Sequence, residues 1–597
     1  MEGDQADFGG PAKRVPLLEE GFDLLPAIID QLWHANPLHK LLPIEWGEIT
    51  RALLRLSARA MTDPVHATAT AANVGLKLWQ EAAEIWIATA ACWWGQVPSA
   101  NQPHPDQAQP DRRFDAPEWE QHPFFRLLKQ SYLTISEQLL KEAERQDLEP
   151  VERQRLVFQL RQLVDAMSPT IFLPTNPAAL RKALETGGGS VADGVRQLLR
   201  DLREGRLSIT DTEAFAPGKN LALTPGKVVY RNHLIELIQY APVTAQTYAV
   251  PLLFVPPWIN KFYILDLQPK NSLVRYLLEQ GFAVFMISWK NPDASMEGIT
   301  FEEYMNEGPL AASEVVGAIA ETERVNPVGY CIGGTLLAMT LAYLAAQHDE
   351  RFGPATFMVS LLDFSEVGDT AVFMDEPQIE FIEQCMLDRG YLDSHHMANM
   401  FNLLRSNDLI WSTVVNNYLL GNKPPAFDLL YWNSDGTRMA RSAHSFYLRN
   451  TYLENNLIKP GEISLLGQPI DLRRIKQDLY AVGAEKDHIV PWRSAWRLAR
   501  LTSAKVRFVL AASGHIAGMI NPPSKGKGGH WTNDVDNALP ASAEEWLASA
   551  RRHEGSWWID WANWLGARSG TKTGAPSVGS AAYSPICDAP GTYVLEK

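Results

Sequence analysis

From Val328 to Thr335 the chain reads Val-Gly-Tyr-Cys-Ile-Gly-Gly-Thr, and this stretch joins a short β-type run to a helix-type run, Thr335 to Ala346. A strand, a sharp turn and a helix in succession are the context that a nucleophile elbow requires, here with Cys331 at the apex. A residue held in that strained turn needs small neighbours two positions away on either side, and Gly329 and Gly333 meet the need. The helix that follows directs its N-terminus at the sulfur, which favours thiolate over thiol. The N–H of Ile332 faces the same place and is a candidate oxyanion donor. Taken alone, the stretch also fits a glycine-rich turn around a buried cysteine, so the rest of the chain has to decide.

Composition narrows the possibilities. The chain has 597 residues, 46% of them hydrophobic and 21% charged, which suits an ordinary globular protein of more than one domain. Its formal net charge is −15 and no long basic tract stands out, which gives no electrostatic case for nucleic acid. The four cysteines, Cys92, Cys331, Cys385 and Cys587, lie far apart without metal-ligand spacing. So few in so long a chain fit a reducing, cytoplasmic compartment, and neither a metal nor a cofactor is expected. The acidic N-terminus has no apolar core of a signal peptide. The apolar run Ala82 to Trp94 is shorter than the roughly 20 residues needed to span a membrane, and reads as a buried or interfacial helix. Tryptophans cluster at Trp93 and Trp94 and at Trp557, Trp558, Trp561 and Trp564, which hints at an apolar contact surface.

Along the chain, helical spacing dominates residues 1–205, behind about 16 residues expected to be disordered and with a polar, proline-rich loop from Gln96 to Arg113. The pattern then changes. Short apolar runs at Val228–Tyr240, Leu252–Val255, Ala283–Ile287, Val325–Tyr330, Phe357–Leu362, Asp478–Val482 and Val506–Ala511 alternate with helical segments, which predicts a parallel sheet covered on both faces. Residues 206–597 are thus expected to form an α/β catalytic domain. The span between Leu362 and Asp478 is too long for a connection, and residues 365–474 are read as a cap inserted over the active site. The tail after Ala567 is expected to be irregular.

In an open α/β sheet, functional residues gather at the carboxyl ends of the strands. After the strand at Leu479–Val482 comes Gly483-Ala-Glu-Lys-Asp487-His-Ile-Val-Pro491, and after Val506–Ala511 comes Ser513-Gly-His515. Cys331, Asp487 and His515 therefore follow the chain order of α/β-hydrolase triads. Asp363 is a weaker alternative for the acid. Glu485 fits less well, and His488 points away from its neighbour Asp487. The remaining histidines and Cys92, Cys385 and Cys587 lack a strand-end context. A second oxyanion donor is expected from Val255-Pro-Pro-Trp-Ile-Asn-Lys261. Its prolines have no N–H, so Trp258, Ile259 or Asn260 remains, with Ile259 preferred. Asn260 and Lys261 either support this loop or bind phosphate of a carrier. Cysteine in place of serine suits thioester exchange, where both leaving groups are thiols.

These residues and their surroundings resemble the poly(3-hydroxyalkanoate) synthases, in particular the long single-subunit class I. The resemblance rests on Asp111-Arg-Arg-Phe114 with Trp119, Phe172-Leu-Pro-Thr-Asn-Pro177, Pro256-Pro-Trp-Ile-Asn-Lys261, Ser288-Trp-Lys-Asn-Pro292, Gly329-Tyr-Cys-Ile-Gly-Gly-Thr335, Tyr431-Trp-Asn-Ser-Asp435, Gly483–Pro491, Ser513-Gly-His515 and Ala589-Pro-Gly-Thr-Tyr-Val594. It implies an α/β-hydrolase core behind a helical N-terminal domain. It also implies polymerisation of (R)-3-hydroxyacyl-CoA, leaning toward short side chains, with release of CoA. By the same resemblance Cys331 carries the acyl chain and His515 is its base. Asp487 either orients His515 or helps activate the 3-hydroxyl of the incoming unit. Trp432 matches a tryptophan associated with the surface or with dimer contacts. A homodimer, the growing polyester granule and granule-associated proteins are the implied partners. Two other readings remain at this stage: a cysteine hydrolase of thioesters or lactones on the same fold, and a scaffold that retains an inactive fold.

Overall fold

The computed structural model describes residues 16–93, 111–533 and 540–597. The chain forms two compact units. One comprises Met1–Ser208 with Arg405–Pro424, the other Ile209–Leu404 with Pro425–Lys597. The first 15 residues and most of the Gln96–Arg113 loop lie outside the described residues, as do the side chains around Cys92.

The first unit is helical. Its longer helices are Pro16–His34, Trp46–Thr62, Pro64–Trp93, Pro123–Glu144, Pro150–Ala166, Pro177–Glu185 and Gly189–Glu204. Five of these begin with proline, which suits a position whose N–H has no intrahelical acceptor and whose φ is already helical. Asn176 caps the helix Pro177–Glu185 by accepting from the N–H of Ala179 at 3.0 Å. A small cluster of Ala52, Ala143, Leu156 and Leu160 is wholly apolar. Two buried carboxylates add polar joints. Asp165 accepts from Ser406 Oγ at 2.7 Å and Asn407 Nδ2 at 2.6 Å. Asp201 accepts from the N–H and hydroxyl of Ser208 at 3.0 and 2.6 Å and from the Tyr418 hydroxyl at 2.6 Å. Ser406, Asn407 and Tyr418 belong to Arg405–Pro424, so these bonds tie that later stretch of chain into the helical unit.

The second unit is built on an eleven-stranded sheet. Its strands are β1 Gly226–Arg231, β2 Ile235–Tyr240, β3 Leu252–Val255, β4 Val284–Trp289, β5 Asn326–Tyr330, β6 Ala355–Met358, β7 Leu479–Ala484, β8 Val506–Ala511, β9 Gly529–Thr532, β10 Arg551–Glu554 and β11 Cys587–Asp588. Their spatial order is β10-β9-β8-β7-β6-β5-β3-β4-β2-β1-β11. The six strands from β8 to β4 are parallel, and those beyond them on both edges are antiparallel. Strands β3, β4, β5 and β7 are buried at every residue, as expected where helices cover both faces. This explains why they appear in the sequence as continuous apolar runs.

The structure corrects several expectations. The run Phe357–Leu362 is not a strand throughout, because β6 ends at Met358 and Val359 turns to a φ of 40°. Strands β9 and β10 have no apolar run: β9 is short and of mixed polarity, and the edge strand β10 is wholly polar. The tail after Ala567 is more ordered than expected. It supplies Lys572–Gly574, paired with Gln246–Tyr248, and the edge strand β11. The C-terminal tryptophan cluster is not a contact surface either, since Trp557, Trp558 and Trp561 are wholly buried, while the side chains of Trp93 and Trp94 lie outside the described residues.

Asp201→Ala should orphan three donors inside the helical unit, at about 1–3 kcal/mol each if none finds water. Hydrogen exchange should then quicken in residues 405–424 and in the helix Gly189–Glu204 together. Protection unchanged in either stretch would mean that Asp201 does not join them.

Candidate active site

Cys331 sits at φ 53° and ψ −125°, between the end of β5 and the helix Ile332–Ala346. Non-glycine residues adopt such a backbone only where their surroundings enforce it. Here the N–H of Cys331 donates to Met358 O at 2.9 Å, and its carbonyl accepts from Gly334 N at 2.9 Å. The three nearby glycines have steric reasons. A Cβ on Gly329 would meet the Gly334 Cα at 2.5 Å, one on Gly333 would overlap the backbone of Val255 and Pro256, and one on Gly334 would overlap the Ser360 side chain. Twelve residues of the elbow helix are buried, so the helix is apolar all round and fixed in the body of the unit. Cys331 itself is half-buried. Ile332 opens the helix, and its N–H has no intrahelical acceptor.

Asp487 and His515 come from adjacent parallel strands. Ala484 of β7 lies opposite Ala511 of β8, and the loops leaving them carry Asp487 and His515 at nearly the same level. The loops are tied to each other, Glu485 N donating to Ala511 O at 2.9 Å and Lys486 N to Ser513 O at 2.8 Å. His515 Nδ1 lies 2.7 Å from Asp487 Oδ2. The other oxygen, Asp487 Oδ1, accepts from the N–H groups of Ile489 and Val490, both at 2.9 Å. The Asp487 side chain is 0% exposed and that of His515 7%. Burial disfavours the imidazolium, but Asp487 and then Cys331 outweigh it, pushing His515 up to about 10. The Tyr330 ring stacks near the His515 ring, 6.0 Å between centroids. The structure thus brings Cys331, His515 and Asp487 together at neighbouring strand ends.

Asp363 goes elsewhere. It accepts from Asn455 Nδ2 at 2.9 Å and Ser365 N at 2.9 Å, with Arg497 at 3.4 Å. Glu485 is exposed. Burial pushes the thiols of Cys385 and Cys587 up, which disfavours their thiolates. His233 and Glu307 pair at 2.8 Å near Glu303, whose Oε2 accepts from the Thr300 N–H and hydroxyl.

Sequence reasoning missed the residues that hold the loops. Trp557 Nε1 donates to Gly518 O at 2.9 Å and Trp558 Nε1 to Met519 O at 2.8 Å, so both indoles tether the loop that carries His515. Tyr447 and Tyr452, from the long span between β6 and β7, flank Cys331. Burial pushes both phenols upward, and Cys331 adds to the effect in each case. They pack on one another and on Phe364. Trp432 is buried, not on the surface, and donates from Nε1 to Lys261 O at 2.6 Å. Lys261 is a loop support: its ammonium donates to Asp435 Oδ1 and to Glu596 O, each at 2.9 Å. Ile259 lies in the loop directly after β3, the strand beside β5.

Two family models match this chain: the N-terminus of poly-beta-hydroxybutyrate polymerase (PhaC) over residues 110–277, and the alpha/beta hydrolase fold over residues 250–522. The chain is 46% identical over 497 residues to the poly(3-hydroxyalkanoate) polymerase subunit PhaC of Cupriavidus necator, spanning 82% of this chain and 83% of that one. It belongs to the poly(3-hydroxyalkanoate) polymerase family. The poly(3-hydroxyalkanoate) polymerase of Methylorubrum extorquens is 44% identical over 563 residues, covering 93% of this chain and 91% of its own. Among solved structures, the monoacylglycerol lipase of Paleococcus ferrophilus is 14% identical, covering 47% of this chain and 90% of its own, with a TM-score of 0.30. Among the described residues, no helix is long and apolar enough to cross a membrane.

The raised pKa of His515 has a consequence for stability. A histidine that holds its proton more tightly when folded than unfolded stabilises the fold fully below about 6.5, and that stabilisation is lost as pH climbs through about 10. Asp487→Asn removes the strongest raising influence, so the loss should be smaller and be complete at lower pH. Denaturant unfolding followed across this range should show the shift. An unmoved profile would mean that the Asp487–His515 pair does not set it.

Proposed function

We infer that this protein is an acyltransferase that polymerises (R)-3-hydroxyacyl-CoA into polyhydroxyalkanoate and releases CoA. Family membership supports the reaction, and one observation supports the site: Cys331, His515 and Asp487 converge at the strand ends of the sheet. With His515 Nδ1 engaged by Asp487, Nε2 is the nitrogen left for the sulfur. His515 already holds the proton as an imidazolium beside Cys331, and the thiolate attacks the thioester carbonyl. The N–H groups of Ile332 and Ile259 receive the oxyanion, and CoA leaves as a thiol once His515 returns the proton. The hydroxyl of one unit then attacks a second acyl thioester, which lengthens the chain by one ester. Water has to be excluded, and the aromatic wall of Phe364, Tyr447 and Tyr452 beside Cys331 is suited to that.

Asp487 has both oxygens committed and its side chain wholly buried, which supports an orienting role over direct activation of the hydroxyl. The family resemblance further supports a homodimer that works in the cytoplasm at the surface of a growing granule, with granule-associated proteins as partners.

The deciding assay follows free CoA thiol and turbidity together with (R)-3-hydroxybutyryl-CoA. Thiol release should be accompanied by rising turbidity, and Cys331→Ala should abolish both. Thiol release into a clear solution with soluble acid as product would identify a hydrolase instead. Asp487→Asn should impair acylation and elongation equally; acylation spared while elongation fails would assign Asp487 to the hydroxyl.

A further inference from the structure

A second oxyanion donor from the loop after β3 is useful only if its N–H points at the reacting carbonyl, and nothing in Pro256-Pro-Trp-Ile-Asn-Lys261 fixes that direction from within. The structure fixes it from outside. The Thr437 hydroxyl donates to Trp258 O, and the Thr437 N–H donates to Ile259 O at 3.1 Å. A peptide group is planar and trans, so a carbonyl held on one side sends the N–H of the next residue to the opposite side. Thr437 therefore orients the two peptide groups on either side of Ile259, the first of which carries the Ile259 N–H. The neighbouring carbonyls are held as well: Pro256 O accepts from Trp289 Nε1 at 2.9 Å and Lys261 O from Trp432 Nε1 at 2.6 Å. Asn260 and Gly436 form an isolated antiparallel bridge between the same two stretches. Behind them, the buried Asp435 takes Lys261 Nζ at 2.9 Å and the Tyr263 hydroxyl at 2.8 Å. The Trp258 ring is packed on Trp289, Phe301 and Tyr304, so the loop cannot swing as a whole.

We propose that Thr437 is a positioning residue for catalysis: from the insertion, it aims the Ile259 N–H at the oxyanion formed on the Cys331-bound carbonyl. This rests on the acyl-transfer reading above and adds to it a residue that touches neither substrate nor the sulfur. The test compares two reactions of the same cysteine. Acylation by (R)-3-hydroxybutyryl-CoA forms an oxyanion, whereas alkylation by iodoacetamide displaces iodide and needs only the activated sulfur. Thr437→Val keeps the shape and the backbone N–H but loses the hydroxyl. It should lower kcat for CoA release about 10- to 100-fold, below the 100- to 1,000-fold known for loss of a whole donor. KM should stay within about threefold, and the alkylation rate of Cys331 should be unchanged. Thr437→Ser restores the hydroxyl and should recover most of kcat.

Equal losses in acylation and alkylation, or no loss in Thr437→Val, would overturn the proposal. So would failure of Thr437→Ser to recover activity while alkylation stays normal. A wild-type protein that is alkylated at Cys331 but releases no CoA from this or a longer acyl-CoA would overturn the acyl-transfer reading, and this proposal with it.

Discussion

The carbonyl oxygens of Val255 and Pro256 occupy the space that a side chain on Gly333 would need. That close approach of backbone to backbone sets the position of Cys331. It lets the elbow helix pack against the end of β3, which forces the tight turn at Cys331 and fixes the sulfur relative to the loop that follows β3. A similar argument holds at Gly329, pressed against the Gly334 backbone, and at Gly334, pressed against the Ser360 side chain. Three small residues within six positions are therefore one steric requirement, met from three sides.

Given that turn, the remaining parts are placed by the sheet. Parallel strands start and stop at comparable levels, so the loops after β3, β5, β7 and β8 open on one edge. Register then does the fine work. Asp487 stands three residues beyond the Ala484–Ala511 pairing and His515 four beyond it, and the two loops are stitched together by backbone bonds before the side chains meet. The acid and the imidazole are consequently held by main chain, and their own bond adds electrostatics to a geometry that already exists.

The sequence was legible where physics is local. Pro177 after Asn176, the glycines around Cys331 and the unbroken apolar runs of β3, β4 and β7 each state their conformation within a few residues. The motif Asp487-His-Ile-Val-Pro491 was legible because its carboxylate caps its own turn through the N–H groups of Ile489 and Val490. What was hidden depends on partners far away in the chain. Trp557 and Trp558 look like a sticky surface patch until their indoles are seen reaching Gly518 and Met519. Thr437 is one small polar residue among many, and its role exists only because Trp258 and Ile259 lie beside it. Strands β10 and β11 carry no apolar signal, because an edge strand takes its stability from the ladder beside it rather than from its own side chains.

The stretch Arg405–Pro424 leaves the catalytic unit and completes the helical one. During synthesis on a ribosome this imposes an order of events. The helices up to Glu204 emerge first, yet Asp165 and Asp201 have to wait some two hundred further residues for Ser406, Asn407 and Tyr418. By then most of the central sheet has been made, β3 to β6 included. The N-terminal unit is therefore the first begun and not the first finished, and a chain halted before Arg405 would carry Asp165 and Asp201 without the donors of Ser406, Asn407 and Tyr418.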